Sequence, residues 1–227
     1  MRRYTIIMVN MDKRKTPLDD EFIEPHMCDL DLRLYVIKRL PFFHDLPDAT
    51  IEEINQSFVE RGYAAGEIIY LEKSPASRLY AVADGNVKLM RHTTSGKDVM
   101  LDILKQGEFF GSVTNLPDDS YYETARAHTP VCTLSIEGDE FRKIMNEYAS
   151  VAMKVVEVMA QRLKEAHEMV QLLSVSSVEQ RLAHVLLKLG KKHGESNQTD
   201  TLIQIPLGRS DLAELTGTTT ETASRMT

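Results

Sequence analysis

The feature that constrains this chain most is a long apolar seam that begins at Phe141. Alternating steps of three and four residues from Phe141 reach apolar or small side chains at every position except Arg162. A period near 3.5 residues is the pattern by which two helices bury a common face. No Gly or Pro falls between Asp139 and Leu173. We therefore expect a helix over residues 148–173 that is about 38 Å long.

The seam is compatible with a buried helix in a monomer and with a helix that pairs with a second copy. A second apolar line widens this surface and comprises Val151, Val156, Val158, Leu163, Val170 and Leu172. Two apolar lines indicate that the helix faces its own domain as well as a partner. The predicted dimer contact uses the seam residues Tyr148, Ala152, Val155, Met159, Ala166, Met169 and Leu173.

Composition excludes some classes of protein. The 227 residues carry a formal charge of -7, which argues against a protein that coats nucleic acid through bulk charge but not against a small DNA-binding head. The two cysteines, Cys28 and Cys132, cannot build a disulfide framework or a four-thiolate metal site within one chain. The sequence shows no signal peptide and no run long enough to span a bilayer. We therefore expect a cytoplasmic protein with no membrane partner.

The N-terminal part of the chain predicts an extension followed by two helices. Residues 1–28 mix charges without a clear period, and we interpret them as a partly disordered extension. Apolar positions favour a short helix over residues 29–40. They favour a second helix over residues 49–61, with Asp48 or Thr50 as its cap.

The middle of the chain has the pattern of short strands rather than helices. From Tyr63 to Ile136, short β-rich pieces such as EIIYL, NVKLMRHT and VCTLSI alternate with turn residues. This spacing predicts an antiparallel β-sandwich. Two of the strands flank the residues 94–97, a hairpin turn in which Gly96 supplies a positive φ. From Gly138 onwards the pattern becomes helical without interruption up to the end of the seam.

The last part of the chain predicts a small helical head. The seam ends at residues that cap helices, and Ser176 or Ser177 is the expected cap. The next segment, VEQRLAHVLLKLG, then forms another helical face. LIQIPLG suits a short strand. In RSDLAELTGTTTETASRMT, Ser210 or Asp211 caps a helix, a Gly lies in the turn, and a second helix starts near Thr219. This is the spacing of a helix-turn-helix, which an ordinary helical hairpin shares.

Six motifs in this order resemble the Crp/Fnr family of bacterial transcription regulators. They are PFFHDL, RGYAAGEII, LYAVADGNVKL, GEFFG, VEQRLAHVLLKL and the helix-turn-helix, and they cover about residues 32–227. The resemblance implies a homodimeric regulator that binds double-stranded DNA and contacts RNA polymerase. Its sandwich would sense a signal, and its long helices would pair about a two-fold axis and transmit a change to the DNA heads.

The expected architecture is α+β and has four parts. Residues 1–28 form the extension, and residues 29–146 form an antiparallel β-sandwich or jelly roll that is similar to cyclic-nucleotide-binding domains. Residues 147–173 form the dimerisation helix, and residues 174–227 form a winged helix-turn-helix. Family members continue through the recognition helix into a β-hairpin wing. We therefore expect the DNA head of this chain to be truncated.

The recognition helix carries the family pattern E-x-x-S-R in Glu221, Ser224 and Arg225. Such positions share one helical face. Arg suits the O6/N7 edge of guanine, Glu accepts from the cytosine amino group and Ser bonds either kind of edge, so the resemblance implies a TTGA-like inverted repeat. The alternatives are a solvated Ser224 and a Glu221–Arg225 ion pair. The expected phosphate contacts are Thr219, Thr220 and Arg209.

The signal is the feature that the sequence determines least. In cyclic-AMP-binding relatives, a Glu follows the glycine that corresponds to Gly111, and an Arg-Ser pair reaches the phosphate. Here Ser112 follows Gly111, and acidic residues precede Arg126. A buried phosphate without its arginine would be unpaired, which argues against cyclic AMP. The candidate effector pocket comprises Phe110, Gly111, Ser112, Tyr121, Tyr122 and Thr124.

Metal cofactors are the other candidates that the resemblance raises. Oxygen-sensing relatives hold a [4Fe–4S] cluster through N-terminal cysteines and one internal cysteine. Cys132 matches the internal position, but only Cys28 remains of the others, whereas four thiolates are needed. We therefore expect no iron–sulfur cluster and interpret Cys132 as a small buried strand residue. Haem stays an option because some members bind it through His, and the candidates are His26, His44, His92 and His128.

Two other classes of function remain as alternatives. An enzyme is disfavoured because the sequence has no H-E-x-x-H, G-x-S-x-G or P-loop motif, and GEFFG lacks the lysine of a phosphate loop. A sensor-only protein would dimerise without binding DNA of its own. Binding to a palindromic duplex, with a steep dependence on salt, separates this second alternative from a regulator.

Overall fold

The computed structural model describes residues 28–93, 96, 98–112, 119–196 and 200–227. The predicted extension therefore lies outside the described residues, apart from Cys28. The chain divides into two compact units, one that ends at Val170 and one that begins at Gln171. No helix in the described part of the chain is long and apolar enough to cross a membrane.

Two short helices lead into the first unit, α1 (Leu30–Arg39) and α2 (Asp48–Asn55). Asp29 caps α1 as its side chain accepts a hydrogen bond from the Leu32 N–H at 2.8 Å. The predicted continuation of α2 to residue 61 is wrong, because residues from Val59 onwards pair with a strand far along the chain. The predicted cap at Asp48 or Thr50 is also wrong, since Pro47 is the N-cap and no side chain caps this helix.

Within the described part of the chain, eight strands form the predicted antiparallel sandwich. They are β1 (Val59–Tyr63), β2 (Ile68–Tyr70), β3 (Arg78–Asp84), β4 (Val87–His92), β5 (Asp98–Leu104), β6 (Phe109–Gly111), β7 (Thr124–Ala127) and β8 (Val131–Glu137). One sheet has the order β1-β8-β3-β6 and the other has the order β2-β7-β4-β5. The predicted β-sandwich of the jelly-roll type is thus confirmed.

The predicted hairpin joins β4 to β5, which pair in antiparallel register from Val87 opposite Leu104 to His92 opposite Asp98. Gly96 has a φ of 75°, in the left-handed region that glycine adopts without steric cost. Residues 94, 95 and 97 of the turn lie outside the described residues.

Strand β3 is buried on both faces and separates two apolar clusters. Successive side chains of a strand point to opposite faces, so Leu79 and Ala81 enter one cluster while Tyr80 and Val82 enter the other. We call the first cluster the helix-facing core; it includes Val36, Ile37, Phe42, Phe43, Leu79, Ala81, Phe109, Leu134, Ile136, Phe141, Ile144 and Val151. The second, the sandwich interior, lies between the sheets and includes Tyr63, Tyr70, Tyr80, Val82, Val87, Phe110, Tyr121 and Ala125.

The helical part after β8 consists of two helices rather than one. Helix α3 (Gly138–Glu147) and helix α4 (Ala149–Val175) are separated by Tyr148, which has an extended backbone with φ -114° and ψ 92°. The prediction of uninterrupted helix from Gly138 is therefore wrong. Phe141 of α3 and Val151 of α4 are both fully buried in the helix-facing core, and the break turns both helices toward that core.

The second unit contains α5 (Val178–His193), β9 (Gly194–Ser196), β10 (Thr201–Ile203), α6 (Arg209–Thr216) and α7 (Thr220–Met226). Ser177 caps α5 in a capping box with Gln180, as one of the two predicted caps. The strand predicted in LIQIPLG, residues 202–208, is shorter and lies earlier, since β10 ends at Ile203. The cap of α6 differs from the prediction, because Gly208 is the N-cap and its N–H donates to the Asp211 carboxylate at 2.7 Å.

Two glycines of the sandwich allow a controlled test of this packing. Gly66 and Gly85 both have positive φ, but a Cβ on Gly85 would lie 2.1 Å from the Pro130 carbonyl oxygen, whereas a Cβ on Gly66 would meet nothing within 4 Å. Gly66→Ala should cost about 1–2 kcal/mol of unfolding free energy through its backbone conformation alone. Gly85→Ala should cost about 1–3 kcal/mol more through overpacking. Urea unfolding at one protein concentration measures both, and equal midpoints would contradict the predicted contact.

Candidate functional site

The helix-turn-helix of the second unit is built on a tight turn between α6 and α7. Gly217 ends α6 in the left-handed conformation with φ 64°. The Thr218 N–H donates to the Ala213 carbonyl at 3.0 Å, and the Thr216 hydroxyl donates to the Leu212 carbonyl at 2.7 Å. These bonds and the left-handed Gly217 end α6, and α7 begins at Thr220.

Helix α7 is held from one side. Its cap is Thr219, whose hydroxyl accepts from the Thr222 N–H at 3.2 Å. Ala223 is fully buried and packs with Leu182 and Leu212. The side chain of Ala223 thus defines the inward face of this helix.

The opposite face of α7 presents the predicted base-reading residues to solvent. Glu221 and Arg225 are exposed, and Ser224 is half-buried at the side of the same helix. Neither Glu221 nor Arg225 forms an ion pair with another described residue, so the alternative of a Glu221–Arg225 pair is not realised. The predicted phosphate contacts are all exposed as well, and they are Thr219, Thr220 and Arg209.

The sandwich interior of the first unit holds a cluster of stacked rings. The Tyr70 and Tyr121 rings stack with centroids 3.8 Å apart, and the Tyr80 and Phe110 rings stack at 5.2 Å. The Tyr70 hydroxyl donates to the Glu123 carboxylate at 2.7 Å. Burial is the main reason that the pKa of Tyr70 and the pKa of Glu123 are both raised.

Only part of the predicted effector pocket comes together. Phe110 and Tyr121 belong to the ring cluster, and a Cβ on Gly111 would lie 3.6 Å from the Tyr121 ring. Tyr122 is 66% exposed and lies under the Arg91 guanidinium, away from the cluster. The two remaining residues are engaged elsewhere: Thr124 accepts a hydrogen bond from the Glu72 N–H, and the Ser112 hydroxyl bonds the Asp119 carboxylate.

The first half of α4 lies against its own sandwich. Tyr148, Val155 and Met159 of the predicted dimer seam pack on the helix-facing core. Arg162, the one charge in that seam, donates to the Phe109 carbonyl at 2.7 Å and stacks its guanidinium over the Phe109 ring at 3.6 Å. The remaining seam residues are accessible to different degrees, half-buried for Ala152 and Met169 and exposed for Ala166 and Leu173.

Two segments of the chain match known domain families. Residues 60–148 match the cyclic nucleotide-binding domain, and residues 180–227 match the Crp-like helix-turn-helix domain. A relative called cyclic AMP receptor protein, from Thermus thermophilus, is 30% identical over 190 residues, which are 84% of this chain and 85% of the relative. The chain belongs to the Crp/Fnr family of transcription regulators.

Other members of the Crp/Fnr family agree with this assignment. The global nitrogen regulator of Synechococcus elongatus is 27% identical over 167 residues, 72% of this chain and 75% of the relative. The crystal structure of the Thermus thermophilus catabolite activator protein shares 28% identity and a TM-score of 0.54, covering 82% of this chain and 84% of that one. FixK2 from Bradyrhizobium japonicum has the same fold, with a TM-score of 0.65 at 24% identity, covering 74% and 82%. The family consists of DNA-binding transcription regulators, not enzymes.

The ring cluster occupies the sandwich interior of the unit that contains the match to the cyclic nucleotide-binding domain. A nucleotide in the sandwich interior would need the space that the stacked rings of Tyr70, Tyr80, Phe110 and Tyr121 fill. Arg126, the arginine nearest in sequence, belongs to β7, where it is the neighbour of the inward-packed Ala125 and Ala127 and points to the other face.

The cysteines are the largest surprise in this Crp/Fnr chain. Cys132 is fully buried in β8, as predicted, but it is bonded to Cys28 across 104 residues. These are the only cysteines of the sequence, so the structure holds no free thiolate for an iron–sulfur cluster. The sequence did not predict the bond, because no spacing rule connects two cysteines so far apart. Cys28 precedes α1 and Cys132 lies in β8, and both elements enter one core.

Among the described residues, no group of three or more His, Cys, Asp or Glu side chains has a metal-binding arrangement. His92 pairs with Asp98, and His44 pairs with Asp45. His128 lies after β7, and His26 lies outside the described residues. Sequence reasoning also missed Tyr70, Tyr80 and Glu123; the signal available for them was the strand alternation that turns Tyr80 inward beside Val82.

Glu123 provides a test of the sandwich interior through pH. A carboxyl whose pKa is higher in the folded state than in the unfolded state loses stability as pH rises from the unfolded value through the folded one. Gln at this position still accepts from the Tyr70 hydroxyl but cannot ionise. Relative to the parent protein, Glu123→Gln should therefore gain unfolding free energy as the pH rises above the ordinary pKa of a glutamate side chain, by about 1.4 kcal/mol for each tenfold difference in proton affinity between the folded and unfolded states.

Urea unfolding at a series of pH values measures this gain. The exposed Glu52 on α2 supplies the control, because Glu52→Gln removes the same charge from a site in solvent. The difference in unfolding free energy between this variant and the parent should therefore stay constant with pH. Parallel pH profiles for the parent and Glu123→Gln would contradict the raised pKa.

Proposed function

We propose that this chain is a homodimeric, sequence-specific DNA-binding transcription regulator that recognises a TTGA-like inverted repeat. The observation that carries the proposal is the outward face of α7. Ala223 anchors the helix to α5 and α6, so Glu221 and Arg225 lie on the side that is free to enter a major groove.

The chemistry of this face supports base reading. The Arg225 guanidinium can donate two hydrogen bonds to the O6/N7 edge of guanine, and the Glu221 carboxylate can accept from the amino group of cytosine. Ser224, at the side of the helix, adds a hydroxyl that suits either kind of edge. Arg209 and the two threonines before the helix supply phosphate contacts, which position the protein but carry no sequence information.

The exposed apolar line of α4 supports dimerisation. It contains Met153, Val156, Ala160, Leu163 and Val170, with His167 as its one polar member, at alternating steps of three and four residues. Met153 is 61% exposed in the single chain and Leu163 is 58% exposed, whereas Val155 and Met159 are covered by the chain's own core. We therefore propose that the coiled-coil contact uses this line rather than the seam predicted from the sequence.

The same helix supports a sensing role for the sandwich. Arg162 connects α4 to β6 through the Phe109 carbonyl, and the neighbouring Phe110 belongs to the ring cluster of the sandwich interior. A change in the sandwich can thus reach the dimer helix through adjacent residues. We propose that the signal is neither a cyclic nucleotide nor an iron–sulfur cluster, and that the bound dimer acts on RNA polymerase.

Dimerisation is tested by charge on the exposed line. Val156→Glu combined with Leu163→Glu should convert the dimer to a monomer, because four carboxylates would face one another across the apolar contact. Sedimentation equilibrium measures the mass. The matched control is Ser150→Glu combined with Gln161→Glu, which adds the same charge to exposed positions of α4 outside the line and should leave the dimer intact. A dimer that survives Leu163→Glu and Val156→Glu would refute this contact.

DNA recognition is tested by two arginines with different expected roles. Arg225→Ala should cost about 1–3 kcal/mol on a TTGA-type palindrome and reduce the discrimination against a scrambled duplex. Arg209→Ala should weaken binding to both duplexes alike and lower the slope of log affinity against log salt by about one. Fluorescence anisotropy at several salt concentrations measures both effects.

Two results would overturn the proposed recognition. Selection from randomised duplexes that enriches no TTGA-like half-site would refute the reading of Glu221, Ser224 and Arg225. A dimer that binds no duplex at any salt concentration would instead support the sensor-only alternative.

A further inference from the structure

The Cys28–Cys132 bond joins two distant parts of the first unit inside one apolar core. Cys28 immediately precedes Asp29, the cap of α1, and Cys132 lies in β8 opposite Gly62 and Asp84. Their Cα atoms are 6.3 Å apart, within the range that a disulfide spans. Both side chains belong to the helix-facing core, with Cys28 5% exposed and Cys132 inaccessible.

The bond also belongs to the same core on which helix α4 packs. Val151 of α4 is a member of the helix-facing core, and Val155, Val158 and Met159 pack against it. Strand β8 continues directly into α3 at Gly138. A covalent change at Cys132 is therefore made in the cluster that supports the first half of α4.

A protein that acts on DNA works in a compartment where cellular thiols keep cysteines reduced, and disulfides found there are characteristically transient and redox-sensing. We propose that Cys28 and Cys132 form a reversible dithiol–disulfide site through which a low-molecular-weight disulfide regulates DNA binding. This inference rests on the proposed function and names the class of signal that the sandwich receives.

The chemistry balances as thiol–disulfide exchange. The Cys28 thiolate attacks one sulfur of a small disulfide RSSR, and one thiol RSH leaves. The Cys132 thiolate then attacks the Cys28 sulfur of the mixed disulfide, which closes the protein bond and releases the second RSH. The two cysteines lose two protons and two electrons, and the small disulfide takes up both. Cys28 is the first site of attack because it is the more accessible of the two sulfurs.

The first unit retains other contacts when the bond opens. Arg33 of α1 donates to the Asn55 and Phe58 carbonyls and pairs with Glu60, and Val36, Ile37 and Leu40 are fully buried. Two thiols in an apolar core also behave as small hydrophobic side chains. Reduction therefore frees Cys28 at the start of α1 and loosens the core beneath α4 without unfolding the sandwich.

The experiment equilibrates the full chain in mixtures of reduced and oxidised glutathione and then blocks free thiols with a maleimide mass tag. The number of tagged thiols should fall from two to none in a single transition as the oxidised fraction rises. On the same samples, affinity for the TTGA-type palindrome should change by about 5- to 150-fold, the range of typical allosteric coupling. Cys28→Ser and Cys132→Ala should each remove the response to glutathione while the protein stays folded.

Amide hydrogen exchange provides a readout that does not depend on DNA. Protection over α1 and residues 151–162 should be lower in the reduced protein than in the oxidised one. Two tagged thiols in every mixture, or equal protection and equal duplex affinity in both forms, would overturn the redox site while leaving the regulator intact. If neither form binds any duplex, the proposed function fails, and unequal protection would then still establish two redox states of the sensor unit.

Discussion

The contact that the rest of the first unit depends on is the packing of α4 onto the sheet that contains β3 and β8. Burial of Val151, with Val155 and Met159 against the same core, holds the start of a 27-residue helix to the domain that precedes it. Isolated helices gain little stability from propensity alone. The apolar core therefore decides where the helix begins, which face it turns inward, and which face remains available for a partner.

Two adjacent residues of β6 connect this contact to the interior of the sandwich. Because strand side chains alternate between faces, Phe109 enters the helix-facing core and Phe110 enters the ring cluster. Arg162 binds the Phe109 carbonyl and covers its ring. The interior of the sandwich and helix α4 are thus separated by a single strand. The Cys28–Cys132 bond lies in the same core. A redox change and a change in the rings would therefore both act on the core on which α4 packs.

The DNA head uses burial for a different purpose. Its core is small, with Leu182, Leu212, Ala213 and Ala223 at its centre, and it serves to orient α7. The formal charge of -7 over the whole chain is compatible with a DNA-binding head, because net charge does not determine the charge of a local surface.

Local pattern determined much of this protein. Alternation and turn glycines predicted the sandwich, Gly96 and its flanking strands predicted the hairpin, and Ser177 predicted the start of α5, since each depends on residues near one another in the chain. The order of motifs also predicted the Crp/Fnr family, and with it the helix-turn-helix. The tertiary structure alone decided the end of α2, because the strand that follows pairs with β8. It also decided the break at Tyr148, because two helices enter one core. It likewise decided that the predicted seam faces the sandwich over Val155 and Met159, and that Cys28 meets Cys132. These features depend on contacts between residues far apart in sequence, and no local period records which of two apolar faces the chain itself will cover.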